Sequence, residues 1–281
     1  MIIWLASYPK SGNTLVRSML SAYFFSQDGV CNFDLIKHIN IFPDSMYFER
    51  LGINIQDKEE VIKNYIKVQE SFNKKNSVRF LKTHSYLFNI KNNPFTNLNC
   101  SLGAIYIVRD PRNVVSSFAK WTKKTQEKAA DDMINNYIMG GNLLKANKIV
   151  NYVGPWDGNY NSWKSFKSVN KYLLIKYEDL INDREKYFFE ILKFIHDLKK
   201  IDFSLDKRKF KNSIDTTSFN KMQKMEEKYG FEESMLDKVT GKKRKFFNLG
   251  AQTDWNKLLS VKLCKDIEDK FEKEMNELNY L

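Results

Sequence analysis

The 281 residues carry 46 Lys and Arg against 34 Asp and Glu, a formal charge of +12, with 42% hydrophobic and 14% aromatic residues. That is ample for one large α/β domain over residues 1–281, and no run approaches the ~18 consecutive apolar residues of an integral membrane segment. The charge invites a nucleic-acid reading, but only 8 of the 46 cations are Arg; the Lys runs read as solvated surface, so nucleic acid is not an expected partner.

Cys31, Cys100 and Cys264 are scattered, lack metal-ligand spacing and fit buried free thiols in a reducing compartment. The first residues lack a basic n-region, and Lys10 and Arg17 interrupt their apolar stretch, so a signal peptide is not read and the expected location is cytoplasmic.

Ile2-Ile3-Trp4-Leu5-Ala6 predicts a buried strand, and Leu15, Val16, Met19, Leu20, Tyr23 and Phe24 recur at helical spacing after it. Between them lies Ser7-Tyr8-Pro9-Lys10-Ser11-Gly12-Asn13-Thr14. A loop entering a helix presents free N–H groups and the positive end of the macrodipole, which favours phosphate. Gly12 lets an anion come close, Lys10 adds a full charge, and Asn13 and Thr14 are polar cap residues. The triphosphatase loop needs its Lys after a second glycine. Here Lys10 precedes the only glycine, so the loop is of another kind.

Residues 27–77 are mixed, broken around Phe42-Pro43-Asp44, with a helix expected from Lys58 to Asn73. Val78 to His84 reads as a second strand ending on polar residues, and ligands in open α/β sheets sit beyond strand C-termini. A neutral imidazole with an ordinary pKa near ~6.5 suits proton abstraction, which makes His84 a candidate base. His38 and His196 lack comparable context. Ser101 to Arg109 reads as a third strand, apolar from Leu102 to Val108, as a strand buried on both faces should be. It breaks at Arg109-Asp110-Pro111, and a helix follows with Pro at its first position. Arg109 offers a planar fork for phosphate oxygens and Ser117 a neutral donor.

Residues 126–150 predict one helix with Met133, Ile134, Tyr137, Ile138 and Leu144 on its apolar face. Tyr172 to Leu180 reads as a fourth strand leading into a helix over 184–198. Glu178 and Asp179 are the best Mg²⁺ pair a triphosphatase could claim, although capping the next helix is the simpler role. The last third predicts helices at 203–212, 215–228 and from Leu258 to Leu278, with Lys242-Lys243-Arg244-Lys245 preceding Gly250 and Asp254-Trp255.

Tyr8-Pro9-Lys10-Ser11-Gly12-x-Thr14 resembles the 5′-phosphosulfate loop of the cytosolic-type sulfotransferases, which use 3′-phosphoadenylyl sulfate (PAPS). Lys82-Thr83-His84, Arg109 with Ser117, Tyr177-Glu178-Asp179-Leu180 and Gly250 with Asp254-Trp255 follow in the family's order. The resemblance implies a single P-loop-like α/β domain with a central parallel sheet flanked by helices. It implies that Lys10, Ser11, Gly12, Asn13 and Thr14 hold the 5′-phosphosulfate and Tyr177 the adenine. Arg109, Ser117, Arg244, Lys245 and Gly250 would hold the 3′-phosphate. His84 would be the base, Lys10 and Lys82 would stabilise charge, no metal would be needed, and adenosine 3′,5′-bisphosphate (PAP) would be the product.

Several positions depart from that pattern: Tyr86 for Pro, Asn159 for His, Leu15 for the Trp that stacks on adenine, Asn248 and Leu249 for a basic pair, and Thr253 for a second glycine. Arg244 or Lys245 is expected to fold back and supply the missing charge, unless Arg109 and Ser117 suffice. The acceptor is a hydroxyl or amine, with sugar, lipid, phenol and peptide-linked metabolite all open, in a pocket walled by 30–60, 130–165 and 225–247. Two rivals stand beside this reading. A nucleotide kinase or triphosphatase is opposed by the position of Lys10, and an inactive nucleotide-binding module by the presence of both His84 and Lys10.

Overall fold

Strand β1 (Ile2–Ser7) lies at the centre of a five-stranded parallel sheet with β2 (Asn40–Ile41), β3 (Arg79–Thr83), β4 (Ser101–Val108) and β5 (Tyr172–Lys176). The order across the sheet is β2-β3-β1-β4-β5. This computed structural model describes all residues except 74–76, 136, 142–148, 235–240, 242, 249 and 251–253.

All six residues of β1 are buried because both faces of the sheet are covered. Ile2, Trp4 and Ala6 face one core, where Trp4 meets Phe42, Phe95 and Trp163 at ring separations of 5.7, 5.2 and 5.9 Å. Ile3 and Leu5 face the other, against Val16, Met19 and Leu20 of helix α1 (Asn13–Phe25). The alternation follows from the two-residue period of a strand.

Ala6 pairs in register with Thr83 on one side and with Tyr106 on the other. The C-terminal ends of β1, β3 and β4 therefore form one edge. The chain leaves β1 towards β3 and later crosses to β4 and β5, so the loops after β1 and β4 diverge. Such a switch in strand order opens a crevice where ligands bind. Helix α2 (Pro111–Thr122) follows β4, capped by Asp110 Oδ1, which accepts from Arg112 N–H at 2.9 Å, and it starts on Pro111 as expected.

Three expectations are corrected. The helix expected over 126–150 stops at Ile134, and Tyr137–Gly140 pairs antiparallel with Val150–Gly154. Gly140 and Gly141 both have φ of 75°, which ends any helix there, and Leu144 lies outside the described residues. The segment from Lys58 to Asn73 is two helices, Lys58–Lys63 and Tyr65–Phe72, divided at Asn64. The fourth strand ends at Lys176, and Tyr177 already begins the helix Tyr177–Asn182. No described helix is long and apolar enough to cross a membrane.

Candidate active site

An open cavity of about 690 Å³ lies at the C-terminal edge of the sheet. Lys10 and Gly12 reach it from the loop after β1, Asn13 and Thr14 from the start of α1, Lys82 from β3 and His84 from just beyond it, Arg109 from just beyond β4, Ser117 from α2, and Tyr177 from the start of the helix after β5. Arg244, Lys245 and Gly250 close it from the C-terminal third. Ser11 alone among the expected site residues does not line it; that side chain is buried, and its Oγ has no partner among the described residues.

The loop is shaped by two left-handed residues, Lys10 at φ 68° and Gly12 at φ 97°. Gly12 is required twice over, since a Cβ there would also stand 2.3 Å from Cδ2 of Tyr177. Asn13 fastens the start of α1 to β1 by donating from Nδ2 to the Leu5 carbonyl at 2.9 Å and to Ser7 Oγ at 3.2 Å.

The His84 ring is held by Nδ1, 2.8 Å from the Ser7 carbonyl. A carbonyl can only accept, so Nδ1 carries the proton and Nε2 keeps the basic lone pair. Burial, aided by Lys82, pushes the imidazole pKa down to about 3, against the pull of the Ser7 hydrogen bond. The ring is thus neutral at physiological pH. Its pKa lies well below the ordinary value of ~6.5 on which the sequence reading relied, which makes it a weaker base than expected. Asn159, found where the resemblance leads one to expect His, secures the backbone instead. Its Nδ2 donates to the His84 carbonyl at 3.0 Å and to the Val153 carbonyl at 2.7 Å, while Oδ1 accepts from Tyr106 OH at 2.8 Å.

Lys10 is also shifted. Burial, with Lys82 and Arg109 nearby, lowers its pKa to about 8 although Glu233 and Glu226 pull the other way. Its Nζ lies 4.4 Å from the Phe246 ring centroid and 5.8 Å from that of Trp121.

Glu233 was not singled out from the sequence. Its Oε2 accepts from Lys82 Nζ at 2.9 Å and its Oε1 pairs with Arg17. Burial alone would raise the carboxyl, but Lys82 and Arg17 outweigh it and hold the pKa near about 2. The available signal was Arg17, the one charged residue in α1 and on a segment of helical apolar spacing, since a buried charge requires a partner.

At the other end, Arg109 NH1 donates to the Lys10 carbonyl at 3.2 Å and NH2 to the Gly250 carbonyl at 3.1 Å. The guanidinium carbon stands 4.5 Å from the Tyr177 ring centroid, and Nε is buried without a partner among the described residues. Three further residues escaped sequence reasoning here. Arg184 NH2 donates to Thr217 Oγ1 at 2.6 Å, and the Phe219 ring packs where a Cβ on Gly250 would approach it to 2.4 Å. Phe219 gives the cavity an aromatic wall, whereas Leu15 offers only an aliphatic one.

The C-terminal segment is anchored by two devices. The carboxylate of Glu226 accepts from the N–H groups of Phe246 and Phe247 at 2.7 and 2.9 Å. Trp255 N–H donates to Asn113 Oδ1 at 3.1 Å, and the Arg112 guanidinium carbon lies 3.9 Å from the Trp255 ring centroid. Arg244 NH1 donates to the Trp121 carbonyl at 3.4 Å, and Lys245 pairs with Glu227 at 2.6 Å. Leu249 and Thr253 lie outside the described residues. Glu178 is committed elsewhere: it accepts from Asp110 N–H at 3.1 Å and from Tyr280 OH at 2.9 Å. Among the described residues no three His, Cys, Asp or Glu side chains gather as a metal site.

The Sulfotransferase domain family matches residues 2–279. This chain belongs to the sulfotransferase family. Sulfotransferase 1 family member D1 of Rattus norvegicus is 21% identical over 278 residues, covering 98% of this chain and 83% of that protein. Sulfotransferase 2A2 of the same organism is 26% identical over 176 residues, covering 61% of this chain and 55% of that one. The sulfotransferase fold is shared with a mouse enzyme, SULT7A1, solved with PAP, at a TM-score of 0.59 and 18% identity, covering 98% of this chain and 84% of that one. A retinol dehydratase solved with retinol and PAP gives a TM-score of 0.58 at 15% identity, covering 98% and 81%. Within this family's fold, the motifs read from the sequence gather around one cavity.

Proposed function

We propose that this sulfotransferase moves the sulfuryl group of PAPS to a hydroxyl or amine of a small acceptor by in-line displacement. One observation carries the reading: a neutral His84, with Nε2 as its only basic nitrogen, lines the same cavity as Lys10, Lys82 and Arg109. The residues present fit the nucleotide. The left-handed turn at Gly12 opens a backbone cradle, and the buried Ser116 Oγ and Arg109 Nε, both on the cavity, have no partner among the described residues. Relatives of the same fold were solved with PAP, the product that this donor leaves.

PAPS supplies an activated sulfuryl group on a good leaving phosphate. His84 Nε2 takes the proton from the acceptor as its oxygen or nitrogen bonds to sulfur. The bond between sulfur and the bridging oxygen breaks, and its electron pair stays on the 5′-phosphate. Lys10 neutralises the charge growing there, with Lys82 beside it. Arg109 and Ser117 hold the 3′-phosphate, Arg244 and Lys245 add to the field, and Tyr177 bears on the base. By analogy with phosphoryl transfer, positioning and electrostatics dominate.

Calorimetric titration with PAP and ATP tests the cofactor, with PAP expected to bind far more tightly. Preference for ATP would sink the proposal. A labelled-PAPS screen across phenols, sugars, lipids and amines then identifies the acceptor class.

A further inference from the structure

We propose that Lys120 completes the 3′-phosphate site, in place of the basic pair this chain lacks at positions 248 and 249. The inference rests on the PAPS reading. Asn248 brings no charge, and its carbonyl accepts from Gln223 Nε2 at 3.1 Å. The cations expected to compensate are engaged: Lys245 with Glu227, Arg244 with the Trp121 carbonyl.

Lys120 follows Ser117 by three residues on α2, and both line the cavity with Arg109. Residues three apart on a helix share a face, with Cβ atoms ~5–6 Å apart. Helical side chains lean towards the N-terminus, so Lys120 reaches back over Ser117 towards the start of α2, where Arg109 stands. Ser116 adds a second hydroxyl, buried, without a partner among the described residues and lining the same cavity. Among the described residues, the Lys120 ammonium has no ion pair and no hydrogen bond. It is exposed and can swing onto a phosphate oxygen. The charge that relatives place on the C-terminal loop is here supplied by the helix that already carries Ser117.

The test compares PAP with adenosine 5′-monophosphate, which differ only in the 3′-phosphate. Dissociation constants are measured for the wild type, Lys120→Ala, Lys120→Arg, Arg244→Ala and Lys245→Ala. Lys120→Ala should weaken PAP binding roughly tenfold, the size of one charge-assisted contact at an exposed position. The monophosphate should change by less than about twofold on the same scale, and Lys120→Arg should retain most of the preference. A role confined to the C-terminal turn of α2 would move the melting temperature and leave the ratio intact. An unchanged ratio in Lys120→Ala overturns the assignment, as does a collapse confined to Arg244→Ala or Lys245→Ala. A wild type that binds both nucleotides equally overturns the PAPS reading itself, a result separate from either.

Discussion

Replacing Glu233 by Gln removes a charge while keeping the shape of the side chain. Glu233 is 32% exposed and is held between Lys82 and Arg17, whose side chains are only 6% and 8% exposed. Breaking a fully buried pair from one side costs about 3–5 kcal/mol. The Gln amide keeps one acceptor oxygen, and water reaches part of the site, so about 2 kcal/mol is expected here. For a chain of this size that lowers the melting temperature by roughly 4–6 °C. The same change leaves Lys10, Lys82 and Arg17 with no carboxylate between them, so an anion gains where the fold has lost. Scanning calorimetry with and without PAP should therefore show a larger PAP-induced rise in Glu233→Gln than in the wild type. Equal melting temperatures for the two free proteins would refute the structural half of the reasoning. An equal or smaller rise on adding PAP would refute the electrostatic half.

His84→Ala should cut turnover by about 10²–10⁴ while PAP affinity holds, and wild-type turnover in this variant would remove His84 from the chemistry. Lys10 is a cation below a pKa of about 8 and neutral above it. PAP affinity should accordingly fall as pH rises through that value, and in Lys10→Arg the fall should disappear from the range below pH 10, which a calorimetric pH series would show. Gly12→Ala places a Cβ at φ 97°, 2.3 Å from the Tyr177 ring. It should cost about 1–3 kcal/mol in chemical denaturation together with much of the PAP affinity, and unchanged values of both would show that the loop has room.

Much of the site was legible because each motif is local. The strand at Ile2–Ser7 and the turn after it, Lys82-Thr83-His84, and Arg109 with Ser117 are each a strand end entering a loop or helix, read from apolar runs and the residues that stop them. Parallel pairing then forces those ends onto one edge, so their meeting followed from the elements themselves. The misread segment is equally physical. Tyr137, Ile138 and Met139 suit helix or strand alike, and the strand partner at Val150–Gly154 is a long-range contact that no local pattern records.

The sequence by itself located the loop after β1, the candidate base His84, Arg109 with Ser117 and the strands that carry them, because short-range periodicity and turn chemistry encode each of these. Only the tertiary structure decided that Glu233 faces Lys82 and Arg17, that Asn159 grips the backbone of His84, and that Phe219 and Arg184 line the cavity with Arg109. Those partners lie 75 to 216 residues apart or come from helices whose faces are chosen by packing. A charge far along the chain becomes a partner only when burial removes the water that would otherwise have served it.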